Sequence, residues 1–213
     1  MPKQKQKPKS AIGKLSSRDI LFAAINGLIF GALLPVVLKN MNVALSADKG
    51  IIIAVAFTAL AAVGVYIGYL LSRYVGILFQ IAKFGAVGAA NFAVDIGILN
   101  LLIFISGVAT GPAYTVFKII SFIFAVTNSY IWNKIWTFKK TDTKETGKEF
   151  AQFITISIVG LILNALIASI LVIVIGPLGG IKAKTWASIS AAVASICVMA
   201  WNFIGYKFWV FKR

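Results

Sequence analysis

Between Lys83 and Lys140 the chain holds two apolar runs, KFGAVGAANFAVDIGILNLLIFIS and VFKIISFIFAVTNSYIWNKIWTFKK, separated by the short loop GVATGPAYT. Each run is roughly twenty residues long, the length a helix needs to cross a hydrocarbon core. Lipid offers no hydrogen bonds to a bare backbone, so a single spanning segment must be helical. The first run carries Asp95 at mid-depth. A charge there costs roughly 3 kcal/mol or more, so it is turned toward a protein interior and kept for a reason. Asp95 is accordingly read as the one carboxylate that cannot be assigned to a loop. The second run ends in Asn133-Lys134-Ile135-Trp136-Thr137-Phe138, a polar, basic and aromatic cluster suited to the membrane–water boundary.

Further apolar runs cover about Ile20 to Leu38, Gly50 to Leu71, Glu149 to Ile175 and Trp186 to Tyr206. Together they predict an all-α membrane protein with six transmembrane helices. Composition agrees: 60% of the 213 residues are hydrophobic and 13% are charged. There is no histidine and one cysteine, Cys197, which excludes a disulfide or a His/Cys metal site within one chain. Cys197 lies in an Ala/Ser-rich run and is expected to be a small buried thiol. No catalytic group, cofactor or metal is expected, because the soluble segments are short and hold no nucleophile–base pair.

The net charge of +15 would suggest nucleic acid in a soluble protein. Here the lysines and arginines sit at the ends of apolar runs, so orientation and anionic lipid explain them and nucleic acid is not an expected partner. Of the 21, sixteen fall on the side that holds the N-terminus, which places both termini in the cytoplasm and the chain in the cell membrane. Residues 1–18 read as a disordered basic tail. Ala44-Leu-Ser46 resembles a signal-peptide cleavage site, but the preceding apolar run is too long for an h-region and reads as an uncleaved span. Residues 19–75 form an additional hairpin in which Gly27/Gly31 and Gly64/Gly68 permit close helix approach and Pro35 bends the first span.

Residues 76–213 read as a four-helix domain built from a tandem, parallel repeat of a two-helix hairpin, 81–140 and 149–213. Shifted by 69, Phe84 falls on Phe153, Gly88 on Ser157, Asn91 on Gly160 and Asp95 on Asn164. Shifted by 73, Ser129 falls on Asn202, Lys134 on Lys207, Trp136 on Trp209 and Phe138 on Phe211. Both intervening loops carry Gly-Pro. At the helical period, Gly88, Asn91 and Asp95 share a face, as do Ser157, Gly160 and Asn164. Ser121 and Asn128, and Ser188, Ser195 and Asn202, form stripes on the partner spans. These stripes are expected to face one another and line a shared polar cleft of Asn91, Asp95, Asn128, Asn164 and Asn202. Lys118 stands high enough on the fourth span to pair with Asp95. At the cytoplasmic rim, Asn133, Lys134 and Lys207 can offer a lipid phosphate its donors. Interhelical hydrogen bonding and snorkelling lysines account for many of the same residues.

The pattern Phe84-Gly85-x-x-Gly88-x-x-Asn91-x-x-x-Asp95, followed by Tyr130-Ile-Trp-Asn133-Lys134-Ile-Trp136-Thr137-Phe138, resembles the GtrA family of small polytopic membrane proteins. The resemblance covers about 130 residues, from Lys83 to the C-terminus. It implies handling of polyprenyl-phosphate-linked sugars in cell-surface polysaccharide synthesis or glycosylation. A flippase or carrier would take the headgroup at Lys134 and Lys207 and pass it along the polar cleft. The alternatives are a membrane partner that docks a glycosyltransferase through the loop 139–148 and the tail, and a small-molecule exporter. Two hairpins about one axis could be complete alone or could form a homodimer.

Overall fold

The computed structural model describes residues 14–40, 43, 45–142 and 144–212. Most of the basic tail and the residue at the cleavage-like Ala44 therefore lie outside the described residues. Within them all regular structure is helical, and six helices are long and apolar enough to cross a membrane. They are α1 (Ser17–Asn40), α2 (Ala47–Leu71), α3 (Leu78–Ser106), α4 (Gly111–Trp132), α5 (Thr146–Ser169) and α6 (Ala183–Gly205). Three of them run on into a wider π-helical turn: α4 into Asn133–Thr137, α5 into Ile170–Ile175 and α6 into Tyr206–Val210. Helix α1 continues through Pro35 to Asn40. Gly107, at φ 71°, closes α3 in the left-handed conformation that only glycine adopts at little cost.

The helices fall into two compact units, α1–α4 up to Lys139 and α5–α6 from Lys140 onward. In the first unit α1 packs against both α2 and α3, α2 against α3, and α3 against α4. Asp19 meets Lys83, Leu33 meets Gly97 and Lys39 meets Phe104. That near-constant separation makes α1 and α3 parallel neighbours in register. At their shared lower end, Phe22, Trp132 and Trp136 pack edge to face with centroids 5.3–6.2 Å apart. Such pairs prefer this geometry because ring edges are positive and faces negative. Leu15, inside the predicted tail, packs against the same cluster.

Small residues set the approach of α1 to α2. A Cβ on Gly27 would lie 2.3 Å from the Phe57 carbonyl oxygen, and one on Gly31 2.6 Å from the Ala54 Cα. The second small-residue pair does not serve this hairpin. Gly64 has no neighbour within 4 Å of a built Cβ, and Gly68 lies against Ala82 of α3. Gly27→Leu is therefore expected to force the hairpin open at a cost of about 1–3 kcal/mol. Gly64→Ala should leave stability unchanged, and melting of both variants in micelles checks the contrast.

In the second unit α5 and α6 are antiparallel, held by Trp186 Nε1 to the Leu171 carbonyl at 2.9 Å and Trp201 Nε1 to the Ile156 carbonyl at 3.2 Å. Phe153 stacks on Tyr206 with centroids 4.1 Å apart. Lys140 is held down between the Lys212 carbonyl at 2.6 Å and the Glu149 carboxylate at 3.6 Å. Cys197 is exposed on α6, not buried as expected from its small neighbours. The buried line of that helix runs instead through Trp186, Ser190, Ala194 and Phe203.

Candidate functional site

The polar stripes of α3 and α4 meet at Asp95. Its Oδ2 lies 2.5 Å from the Lys118 ammonium, and its Oδ1 accepts from the Ser121 hydroxyl at 2.7 Å. The same hydroxyl lies 3.0 Å from the carbonyl of Lys118 in its own helix. Ser121 is fully buried, whereas the side chains of Asp95 and Lys118 are 25% and 45% exposed. The carboxylate is thus paired and partly exposed. The ion pair read from the spacing of Asp95 and Lys118 is present. Ser121 was read only as part of a stripe and proves to be its third member.

Three amides of the predicted stripes each have one atom without a partner. Asn91 Oδ1 and Asn128 Nδ2 are buried without a hydrogen bond, as is Asn202 Oδ1 in the other hairpin. Asn202 lies against Gly160, where a Cβ would come within 2.7 Å of that oxygen. Gly160 therefore makes room for the amide, as the facing stripes required. Asn164 is half-buried on α5. Ser157, one helical turn below Gly160, shares a hydrogen bond of 2.7 Å with the Tyr206 hydroxyl.

Two parts of the predicted stripes are misplaced. Ser188 and Ser195 are exposed, and each returns its hydroxyl to a carbonyl four residues back, Lys184 at 3.2 Å and Ala191 at 2.8 Å. A serine can satisfy itself on its own helix, so it need not face a neighbour. Ser190 is the buried serine of α6, and its Oγ has no hydrogen-bond partner. Gly88 has open space where a Cβ would stand, so it permits no close helix contact.

The rim also differs from its expected form. Asn133 and Lys134 are buried, the latter 7% exposed with its ammonium 3.2 Å from the Tyr130 hydroxyl. The wide turn at Asn133–Thr137 brings Asn133, Lys134, Trp136 and Thr137 inward together, leaving Ile135 exposed. A π turn has more residues per revolution than an α-helix, so neighbours that a 3.6-residue wheel would spread around the rim share the inner side. The predicted lipid-facing pair thus lies beneath the surface, and only Lys207 remains half-exposed, over the Phe203 and Phe208 rings. Trp136 belongs to the core and not to an aromatic belt.

A second ion pair was missed. Asp19 is 2% exposed and Lys83 is 3% exposed, with Oδ1 2.5 Å from Nζ. Trp136 Nε1 donates to the same oxygen at 3.1 Å, and Ser16 donates to Oδ2 from its backbone at 3.0 Å and its hydroxyl at 2.8 Å. Lys83 also stands 4.0 Å over the Phe79 ring. Asp95 is therefore not the only carboxylate within the helices. The signal was present in Ser16-Ser-Arg-Asp19 ahead of an apolar run, a capping box in which serine and the acid three residues on satisfy each other's backbone.

Six helices long and apolar enough to cross a membrane, one pair of which carries the Asp95–Lys118–Ser121 group, define a multi-pass membrane protein. The chain belongs to the GtrA/DPMS transmembrane-domain family, whose model matches residues 83–211. It is 31% identical over 131 residues to the uncharacterized membrane protein YngA of Bacillus subtilis (strain 168), a match spanning 62% of this chain and 78% of the relative. No solved structure matches. The family match begins at Lys83, so α1 and α2 stand outside it.

Proposed function

We propose that the protein carries a polyprenyl-phosphate-linked sugar across the cell membrane, with both termini in the cytoplasm, and that it is a carrier without catalytic chemistry. The observation that carries this reading is Asp95, held by Lys118 and Ser121 yet open to its surroundings. A residue kept only for packing is cheaper as an amide, because every charge at membrane depth must be compensated. In the first hairpin, unpartnered amide atoms on Asn91 and Asn128 are groups that an oxygen-rich sugar can satisfy, and the second hairpin offers another on Asn202. Asn164 extends the polar set in the second hairpin, and Lys207 offers a cation at headgroup depth. Membership of the GtrA/DPMS family supports a sugar-related role.

The last four helices are read as a tandem repeat. The two hairpins end in five-residue π turns, Asn133–Thr137 and Tyr206–Val210, with a lysine second in each. Such turns are rare and gather at functional sites.

The test is crossing of citronellyl-phosphoryl-glucose in proteoliposomes. Wild type should move it, and Asp95→Asn should reduce crossing about tenfold or more, the loss expected for one charge-assisted hydrogen bond. Lys207→Gln should slow capture from the cytoplasmic face. Lys134→Ala is compared only after its melting has been checked, because its ammonium is buried. Absence of crossing in wild type, with a glycosyltransferase co-purifying, would assign the protein a docking role instead.

A further inference from the structure

The two Asp–Lys pairs have the same 2.5 Å separation and opposite surroundings. Asp19 and Lys83 are almost wholly buried, and the carboxylate takes four donors. Removing either partner strands a buried charge, so that pair is fixed in place. Lys118 and Asp95 are partly exposed, so another anion can approach the ammonium in a way that the buried pair does not allow. Ser121 holds Oδ1 from a fully buried position independently of Lys118. The lysine can therefore leave without stripping the carboxylate bare, and its four-carbon stem gives it reach. Counted from Gly111, Lys118 stands roughly 10 Å from the helix start, within reach of a headgroup at the outer boundary.

We propose that Asp95 is an internal stand-in for the substrate's phosphate: it holds the Lys118 ammonium until the phosphodiester anion of a lipid-linked sugar displaces it. The inference rests on the carrier reading and adds the receptor and the means of release. Lys118 binds the anion, and return of the Asp95 carboxylate to the ammonium expels it. No bond is made or broken and no proton moves. Lys118 stays paired throughout, while Asp95, left with the Ser121 hydroxyl, carries the uncompensated charge that draws the ammonium back.

The test is equilibrium binding of citronellyl-phosphoryl-glucose to the full chain in neutral phosphatidylcholine nanodiscs, read beside crossing in proteoliposomes. Removing the internal competitor in Asp95→Asn should tighten binding about tenfold while crossing slows, because the step that expels the ligand is gone. Lys118→Gln should weaken binding by a similar factor, and Asp95→Asn/Lys118→Gln should match Lys118→Gln alone. Phosphatidylglycerol and inorganic phosphate, added as competitors, should each displace the probe poorly. Equal competition by phosphatidylglycerol would overturn the assignment to a polyprenyl lipid. Binding unchanged or weakened in Asp95→Asn, with wild type still carrying the probe, would overturn the exchange while leaving the carrier intact. Failure of wild type either to bind or to carry the probe would overturn both. Melting of each variant separates these outcomes from misfolding: a pair that only staples the hairpin lowers the melting temperature and leaves the dissociation constant unmoved.

Discussion

Asp19→Ala is expected to destabilise the protein by about 3–5 kcal/mol, the loss that follows when one partner of a buried ion pair is removed. The alanine variant leaves Lys83 charged and 3% exposed, and leaves the Trp136 indole N–H and the Ser16 hydroxyl without their acceptor. It also removes the capping box at the start of α1. The phenyl face of Phe79, 4.0 Å from the lysine, compensates only part of the charge. Asp19→Asn should lie between, because the amide oxygen still accepts from the lysine and the indole. The double variant Asp19→Leu/Lys83→Met should be less damaging than Asp19→Ala, since no charge is then buried. Thermal melting in micelles followed by tryptophan fluorescence measures all of these. If Asp19→Ala melts with wild type, the pair is not a fastener. Asp19 lies outside the family match while Lys83 and Trp136 lie within it. The same experiment therefore shows how tightly α1 is bound into the first unit.

The six spans were legible because lipid imposes one rule on every segment, and length with apolar content reads that rule directly. Asp95 and Lys118 were legible for a related reason: a charge in an apolar run must find a partner, and two helices of known rise limit which one. Asp19 was not. It sits where tail meets span, and a boundary acid looks solvated until α3 and the turn after α4 are folded over it. Lys83 and Lys134 were read as rim residues for the same reason. The π turns have no residue code that a 3.6-residue wheel detects, yet one of them carries Asn133, Lys134, Trp136 and Thr137 inward. Ser188 and Ser195 show the opposite error. Their spacing fits a stripe, but a hydroxyl that bonds its own helix carries no information about the facing one.

Asn164→Asp is expected to cost about 2.5–3.5 kcal/mol, the penalty for an uncompensated carboxylate at the centre of a spanning helix. Asp95 escapes that penalty because Lys118 and Ser121 face it. If the hairpins are repeats, the shift of 69 carries Asp95 to Asn164, and the shift of 73 for the second helix carries Lys118 to Ala191 and Ser121 to Ala194. Neither alanine can hold a charge. Contacts within the second hairpin agree with that register: Gly160 faces Val198 and Asn202, and Ile156 faces Gly205. Position 164, one turn beyond Gly160, then faces the stretch around Ala194. Adding Ala191→Lys and Ala194→Ser to Asn164→Asp should therefore recover most of the lost stability, whereas Ala191→Lys by itself should not stabilise. A double-mutant cycle in micelles reads the coupling between positions 164 and 191 directly. Coupling above about 1 kcal/mol would mean that the two hairpins share one geometry and that evolution kept the ion pair in one of them only. Zero coupling, with each single variant equally damaging alone or together, would rule the repeat out as a structural relationship. The charge on Asp95 would then have to be explained from the first hairpin's own packing.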